Sequence, residues 1–504
     1  MSVSAHLSGT PSHGATGSVP PQTHGTPSTT GLFVPSPPRP RPTWPLAGPL
    51  GRVRRLSPLP RDVAGGLAWL SVLVVVALWV FNGGVQGLGE SASSLVTGLG
   101  RVTGLVSADL LLIQVLLMAR IPWVERAWGQ DELARKHRLV GYTSFTLMLA
   151  HLVAITVGYA MAEGRNVIGE FVDMVLDYPG MLLALVGTLL LVAVVVTSIS
   201  AARSRMRYEN WHLIHLYAYL GVGLALPHQI WTGADFAGTA PARLYWWSLY
   251  AAAAGAVAWW RVGVPLWRSW RHRVRIEAVV PETEGVTSVW LRGRDLDRLG
   301  AQAGQYFTWR FLSGPGWTRG HPYSLSAAPT PGRMRITVKD LGDDSRLVNR
   351  LRPGTKVLFE GPYGRLHPGV RSRSRVTLIA AGIGITPMRA LLEALPGRPG
   401  DLTLLYRAPS AEDLTFREEL DALAVARGAR VYYLPGHRVA GRPSWLPHTA
   451  AHLGDAQALL QLVPDIRHHD VFLCGADAWM DAVRAAALEA GVPAERIHSE
   501  RFTW

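Results

Sequence analysis

Long apolar tracts without a single Asp, Glu, Lys or Arg dominate the first half of the chain. They cover residues 63–89, 139–162, 178–202, 210–234 and 244–260. A helix needs roughly 20 apolar residues to cross the hydrocarbon core of a bilayer, and most of these tracts reach that length. We therefore predict six transmembrane helices, near residues 63–81, 102–120, 139–161, 178–199, 210–231 and 244–262. The second contains Asp109, an acid that needs a partner or a wet cavity inside a membrane.

The basic residues between these helices predict the orientation. Basic residues cluster before the first helix (Arg52, Arg54, Arg55 and Arg61), between the second and third (Arg120, Arg126, Arg135, Lys136 and Arg138), and between the fourth and fifth (Arg203, Arg205 and Arg207). The alternate loops hold one each, namely Arg101, Arg165 and Arg243. Because Lys and Arg accumulate in cytoplasmic loops, we expect a multi-pass protein of the cell membrane with both termini in the cytoplasm.

Composition and charge narrow the chemistry. Only 17% of the 504 residues are charged, whereas soluble domains have about 25%. The net charge of +14 forms no basic stripe interleaved with aromatic residues, so we expect no nucleic-acid partner. The single cysteine, Cys474, excludes an internal disulfide, a Cys₄ iron–sulfur cluster and a cysteine-based zinc site. Any redox chemistry must therefore use cofactors that need no thiolate ligands.

The sequence pattern divides the chain into four parts. Residues 1–60 are rich in Pro, Ser and Thr and predict a disordered tail, and residues 62–267 contain the six-helix membrane bundle. Residues 272–370 alternate apolar and polar positions between Gly/Pro turns, which predicts an antiparallel β-barrel. Residues 374–504 repeat strand, turn and helix, which predicts a parallel α/β nucleotide-binding domain. The fold class is therefore multi-domain.

Four histidines of the membrane domain have the arrangement that two stacked haems require. His137 and His151 lie 14 residues apart on the third helix, which puts them on one side and about 21 Å apart. His215 and His228 lie 13 residues apart on the fifth helix. We predict that His137 and His215 ligate an inner b-type haem, and His151 and His228 an outer one.

Two observations complicate this interpretation. A spacing of 13 residues leaves two side chains of an ideal helix about 140° out of phase. Pro227 removes a helical hydrogen bond directly before His228 and could supply the distortion that is needed. His212 is a possible substitute ligand, and ordinary core or interfacial histidines are the alternative interpretation.

The segment His321-Pro-Tyr-Ser-Leu-Ser-Ala-Ala-Pro329 resembles the flavin strand of the ferredoxin–NADP reductase superfamily. More closely, it is similar to the version found in NADPH oxidases and ferric reductases. The resemblance implies that residues 321–324, namely His321, Pro322, Tyr323 and Ser324, bind FAD. In that family the tyrosine packs on the isoalloxazine, and the serine contacts the flavin or its diphosphate.

Further motifs extend the resemblance toward the C-terminus. Gly342-Asp-Asp-Ser345 resembles the second phosphate-binding turn of the family, in which Gly342 and Ser345 hold an anion. Gly382-Ile-Gly-Ile-Thr-Pro387 follows a predicted strand and opens a helix, the arrangement that binds a pyrophosphate. The resemblance makes Gly382, Gly384, Thr386 and Pro387 the nicotinamide dinucleotide loop.

The remaining candidate site residues are those that the resemblance associates with the nicotinamide dinucleotide and the exposed face of the flavin. Cys474-Gly475 resembles the family's Cys-Gly-Pro segment, although Ala476 replaces the proline, and a small buried hydrophobic residue is the other interpretation of Cys474. The ending His498-Ser-Glu-Arg-Phe502 resembles the C-terminus of the family, which places Glu500 in the cofactor site. In that family an aromatic residue near the end shields the flavin, and we prefer Phe502 over Trp504 for this role. Arg407 closes a strand and can pair a 2′-phosphate, which favours NADPH over NADH.

These elements together predict a membrane flavocytochrome b. Cytoplasmic NAD(P)H gives up a hydride, FAD divides the electron pair, and two b-type haems carry single electrons outward. The catalytic candidates are Cys474, Tyr323 and Phe502. The acceptor at the outer side is a ferric chelate, dioxygen, a quinone or an exported redox partner protein. The alternatives are a haem-free, membrane-anchored flavin reductase with a cytoplasmic acceptor, or a haem- or ion-handling membrane protein with a regulatory flavin-like domain.

Overall fold

A computed structural model describes residues 59–203, 205–206, 208–314 and 316–501. The predicted tail lies outside the described residues, apart from its last two positions, and so do Phe502 and Trp504.

The N-terminal region is helical, and its long helices are α1 (Leu59–Phe81), α2 (Ala92–Met118), α3 (Gln130–Glu163), α4 (Met181–Ser198), α5 (Tyr208–Trp231) and α6 (Ala240–Ala256). In the described part of the chain, α1 to α4 are long and apolar enough to cross a membrane. Histidine, tyrosine and tryptophan side chains make α5 more polar, and α6 has 17 residues before a π-helical segment, Val257–Gly263. The fifth and sixth spans therefore stay predictions.

Helix α2 begins earlier than its charged residues suggested. α2 begins at Ala92 rather than near residue 102, because Ser91 caps it and accepts a hydrogen bond from the Ser94 amide at 3.0 Å. Arg101, which we placed in a loop, lies inside α2 and donates two hydrogen bonds of 2.7 Å to Asp235. The ion pair neutralises the arginine, so its charge does not end the helix.

Asp109 has polar partners at one of its two carboxyl oxygens, while Oδ2 is buried without a hydrogen-bond partner among the described residues. Its side chain is fully buried. Ser71 of α1 donates a hydrogen bond of 2.7 Å to Asp109 Oδ1, and the Tyr245 hydroxyl of α6 donates one of 2.6 Å to the same oxygen. Polar contacts at this one carboxyl therefore join α1, α2 and α6.

The middle of the chain is antiparallel. After helix α7 (Val264–His272) come β1 (Arg275–Thr283), β2 (Val286–Arg292), β3 (Tyr306–Phe311), β4 (His321–Ser324), β5 (Arg333–Lys339) and β6 (Val357–Tyr363). They form two three-stranded sheets, in the orders β1-β2-β5 and β4-β3-β6. Isolated bridges join the sheets at Arg275–Lys356 and Leu325–Ile336, and a shared apolar core fills the space between them. We call residues 275–363 the β domain.

The C-terminal part is a parallel α/β domain, residues 376–499. Its strands are β7 (Val376–Ala381), β8 (Leu402–Ala408), β9 (Arg430–Pro435), β10 (Asp470–Cys474) and β11 (Ile497–Ser499), and its main helices are α8 (Ile385–Ala394), α9 (Arg417–Arg427), α10 (Asp455–Leu462) and α11 (Asp477–Glu489). The sheet order is β11-β10-β7-β8-β9. Strands β8 and β10 are buried throughout, as expected when helices cover both faces of a parallel sheet. The carboxyl ends of β10, β7 and β8 are therefore adjacent.

Replacing Tyr245 by Phe should lower the thermal unfolding midpoint in detergent micelles. The ring stays, but Asp109 loses one of its two donors, and leaving a buried polar group short of a partner costs about 1–3 kcal/mol. The matched control is Tyr219→Phe, because Tyr219 is an exposed tyrosine of α5. Equal midpoints for both variants would show that the Asp109 contacts do not stabilise the bundle.

Candidate functional site

One continuous cavity connects the membrane helices with the β domain. Its volume is about 1590 Å³, larger than the roughly 300–1,000 Å³ of an ordinary ligand pocket. Its lining includes all four candidate histidines of α3 and α5, together with His321 and Pro322 of β4. The structure therefore places the predicted haem ligands and the predicted flavin strand around the same space.

His137 and His215 face each other across this cavity. Their ring centres are 5.9 Å apart, and the ring planes are inclined by 62°. Two imidazoles bound to one metal ion through bonds of about 2 Å have ring centres roughly 6 Å apart. Nδ1 of His137 lies 3.3 Å from the Gln114 carbonyl, and Nδ1 of His215 lies 3.4 Å from Ser198 Oγ. The pair that the helical spacing predicted is therefore together.

The second pair, His151 and His228, lines the same cavity. Nδ1 of His151 lies 2.8 Å from the Gly100 carbonyl. A Cβ atom on Gly104 would be 2.4 Å from that Nδ1, so the ring occupies a niche that only glycine leaves open. His228 lines the cavity from α5, where it directly follows Pro227. Its side chain thus reaches the cavity despite the 13-residue spacing from His215.

These surroundings fit axial haem ligation. A metal-bound imidazole usually has its second nitrogen anchored by a carbonyl or another polar group, which fixes the tautomer and the ring orientation. His137, His151 and His215 have Nδ1 anchored in this way, and Nε2 of these rings has no hydrogen bond within the described residues. His212 also lines the cavity, but its ring lies beside Trp211 at 6.5 Å.

The flavin strand β4 presents stacked aromatic rings. His321 and Tyr323 have ring centres 6.0 Å apart and nearly parallel planes, inclined by 9°. Ser324 is buried and pairs with Tyr306 of β3. The predicted phosphate turn is closed on itself, because the amides of Leu341 and Gly342 both donate to Ser345 Oγ, at 2.8 and 3.1 Å. These two amides are therefore not directed at a ligand.

The dinucleotide loop joins β7 to α8 and packs directly on the end of β10. Gly382 has φ +54°, a left-handed conformation that favours glycine. A Cβ atom on Gly384 would be 2.2 Å from the Cys474 carbonyl oxygen, and one on Gly475 would be 2.7 Å from the Trp479 ring. Thr386 and Pro387 lie in the first turn of α8. The loop and Cys474-Gly475 thus form one surface at the carboxyl edge of the sheet, where such domains bind nucleotides.

Cys474 and Arg407 are more buried than their predicted roles suggested. The Cys474 thiol belongs to the apolar core, and burial raises its pKa to about 12. A thiol in this state is neutral and packs as a small hydrophobic side chain. The Arg407 guanidinium donates to the Gly436 carbonyl at 3.2 Å, while its Nε is buried without a partner among the described residues. Burial also lowers the Arg407 pKa.

Glu500 lies where the α/β domain meets the end of the β domain. A Cβ atom on Gly364 would be 2.5 Å from Glu500 Oε2, and Gly364 has φ +94°, so both space and backbone require glycine there. Burial is the main cause that raises the pKa of the Glu500 carboxyl to about 8. Its Oε2 has no hydrogen-bond partner within the described chain.

Sequence reasoning missed Arg120, which we had treated only as a loop charge. It follows α2 with a left-handed backbone, and its guanidinium lies 2.8 Å from both Glu125 and Gln130. The same guanidinium lies 4.1 Å above the ring centre of Tyr363 in β6. This buried arginine therefore joins the membrane helices to the β domain, and no motif in the sequence marked it.

Sequence reasoning also missed a buried ion network that joins the β domain to the α/β domain. Arg335 of β5 donates to both carboxylate oxygens of Glu419 in α9, at 2.8 and 3.0 Å. Arg389 of α8 donates to the same carboxylate at 2.8 Å. Arg335 also binds the hydroxyl and the carbonyl of Ser326, two residues after the flavin strand. Ser326, the second serine of the flavin motif, is the sequence feature that could have pointed to this network.

Comparisons with known proteins match both halves of the chain. The family model "Ferric reductase like transmembrane component" matches residues 103–226, and "Oxidoreductase NAD-binding domain" matches residues 378–485. The chain is 30% identical over 237 residues to "Ferredoxin--NADP reductase B" of Sorangium cellulosum, covering 45% of this chain and 96% of that protein.

Two further likenesses each cover just under half of the chain. The chain is 30% identical over 247 residues to "NADPH oxidoreductase" of Mycobacterium tuberculosis, covering 47% of this chain and 62% of that protein. It is 27% identical to the solved flavohaem-like FAD/NAD-binding domain of nitric oxide dioxygenase from Vibrio cholerae, covering 46% of this chain and 99% of that domain. The TM-score of 0.36 is too low to add to the assignment.

Replacing Glu419 by Gln should lower the free energy of unfolding by about 3 kcal/mol, because breaking a buried pair leaves uncompensated charge. Arg335 would then face only a neutral amide, while Arg389 would keep its ion pair with Glu393. The measurement is thermal unfolding followed by flavin release. Glu418→Gln is the matched control, since Glu418 is the exposed neighbour on α9. Similar midpoints for the two variants would contradict a stabilising role for the network.

Loss of the Glu500 proton should lower the stability of the folded protein as pH rises. Its pKa is raised from 4.5 to about 8 in the folded protein, so the folded state binds the proton more tightly than the unfolded state. The stability that protonation contributes is complete below pH 4.5 and is lost as pH rises to about 8. Thermal midpoints between pH 5 and 8 should therefore fall less in Glu500→Gln than in the wild type. Parallel pH profiles would contradict this assignment.

Proposed function

The chain belongs to the ferredoxin–NADP reductase family and carries a ferric reductase-like transmembrane domain, and on this premise we propose that it carries electrons across the membrane. It is an NAD(P)H-dependent flavin oxidoreductase that binds FAD and a nicotinamide dinucleotide. We propose that two b-type haems complete the path from cytoplasmic NADPH to an acceptor at the outer side.

The observation that carries this proposal is the shared cavity with two pairs of histidines. The first pair, His137 and His215, has the separation of two imidazoles around one metal ion. The lining then continues without interruption to His321 and Pro322 of the flavin strand. A haem-free reductase with a cytoplasmic acceptor has no need of a cavity that reaches His151 and His228.

Haem and flavin supply the redox chemistry when bound, since a flavin exchanges one or two electrons and haem iron exchanges one. The residues of the protein hold these groups in position. The carbonyls of Gln114 and Gly100 and the Ser198 hydroxyl orient three imidazoles, and Tyr323 offers a flat ring to the flavin. The dinucleotide loop after β7 places the nicotinamide donor at the carboxyl edge of the parallel sheet.

NADPH is the proposed donor. The names of two similar proteins, a ferredoxin–NADP reductase and an NADPH oxidoreductase, support this choice. Arg407 supports it less than expected, because its side chain is buried against Gly436. A ferric chelate, dioxygen, a quinone or a redox protein fits the outer acceptor equally well. Both termini lie in the cytoplasm in this proposal, as the basic loops predict.

Replacing His151 by Leu should separate the two halves of the path. The purified wild-type protein should contain about two b haems by the pyridine haemochrome assay, and the variant about one. NADPH oxidation with a soluble dye on the cytoplasmic side should continue. Reduction of an impermeant acceptor at the outer side of oriented vesicles should fall to background, because the outer site would lose one of the two histidines proposed to hold its haem.

His212→Leu is the matched control in the same cavity. It should keep both haems and the outer-side activity, whereas His215→Leu should lose the inner haem. Wild-type rates of outer-side reduction in His151→Leu would refute the two-haem path. Loss of haem in His212→Leu would show that His212 is a haem ligand.

A further inference from the structure

The segment that includes the end of the last predicted span, residues 257–262, and leads into the β domain has two different faces. We call residues 257–272, the π-helical segment Val257–Gly263 followed by α7, the connector helix. One face packs on the β domain: Ser269 Oγ accepts the Phe359 amide at 3.1 Å, and Nδ1 of His272 lies 2.8 Å from the Arg294 carbonyl. Arg268 donates to the Gly361 carbonyl on the same side.

The opposite face is apolar, aromatic and uncovered. Its side chains are between 52% and 67% exposed: Trp259, Val262, Leu266, Trp267 and Trp270. Positions 266, 267 and 270 lie on one side of α7 by their spacing of three and four residues, and Trp259 and Val262 extend the exposed apolar surface into the π-helical segment. Ser269 and His272, which face the β domain, are buried. No described residue of the chain covers this stripe, although it contains three tryptophans.

We propose that this apolar stripe of the connector helix lies in the interfacial layer of the lipid bilayer and seats the β domain on the membrane surface. Three observations favour the bilayer over a protein partner. The connector helix follows α6 without a break, so the stripe emerges where the last predicted span leaves the membrane. Tryptophan is enriched at that depth because its ring is apolar and its indole N–H is polar. The stripe itself contains no charged side chain, whereas Arg268 and Arg271 lie toward the β domain, where they contact the Gly361 carbonyl and Asp295.

This contact gives the bilayer a positioning role. The same short helix binds lipid on one side and β6 on the other, and β6 carries Tyr363, over which the Arg120 guanidinium lies. The height of the β domain above the membrane is therefore fixed by a second attachment besides Arg120. The inference rests on the exposed stripe and on membrane insertion of α6, and it needs neither haem to be present.

The test uses spin labels on the full-length protein in nanodiscs of phosphatidylcholine and phosphatidylglycerol. Native Cys474 is buried and its pKa is raised, so cysteines introduced by Trp267→Cys and Trp270→Cys can be labelled selectively. Leu182→Cys on α4 is the lipid-facing reference, and Leu488→Cys on α11 is the water-facing reference. Accessibility to oxygen and to a water-soluble nickel chelate is then compared at each label.

The ratio of oxygen to nickel accessibility at positions 267 and 270 should be several-fold above that at 488 and approach that at 182. A ratio equal to that at 488 would overturn the proposal, because the stripe would be in water. Low accessibility to both reagents would also overturn it, in favour of a protein occupant such as the N-terminal segment or a second copy. Retained FAD absorbance shows that each variant folds. The accessibility ratios do not depend on haem, so failure of the proposed haem path would leave them unchanged.

Discussion

The buried guanidinium of Arg120 is the contact on which the arrangement of the molecule depends. It is paired with Glu125 just after α2 and lies over the Tyr363 ring of the β domain. A buried arginine left without its carboxylate would cost several kcal/mol, so this pair must stay closed for the two domains to pack. With the domains held in this way, the cavity can run from the histidines to the flavin strand without a gap.

Much of the fold and part of the site could be predicted from the sequence. Apolar tracts of membrane-spanning length and the change to alternating apolar and polar residues mark the domains. A helix in lipid gives a continuous apolar tract, whereas a strand with one buried face gives an alternating pattern. The pairing of His137 with His215 was predicted from the matching depth and direction of α3 and α5, and the structure brings these rings together. The pairing of His151 with His228 stays a prediction that also invokes Pro227, since an ideal helix would turn one of them away.

What could not be predicted depends on contacts between distant segments. Arg101 looked like a loop charge, and only its pairing with Asp235, 134 residues away, explains its place inside α2. Arg120, Glu419 and Arg335 belong to no motif, because ion pairs between domains leave no periodic pattern. The turn at Gly342 matched a phosphate-binding motif by its letters, yet Ser345 already accepts its amides. Motif spacing identifies loops, but not where their hydrogen bonds go.

The close approach of Gly384 to the Cys474 carbonyl has a consequence for how the nucleotide is captured. The loop after β7 is wedged against the neighbouring strand and cannot move inward, so it is preorganised before any ligand arrives. Binding then avoids the ordering cost of a mobile loop, about 0.5–1.5 kcal/mol for each immobilised side chain. Capture of a dinucleotide at this edge of the sheet would therefore need no rearrangement of the loop itself.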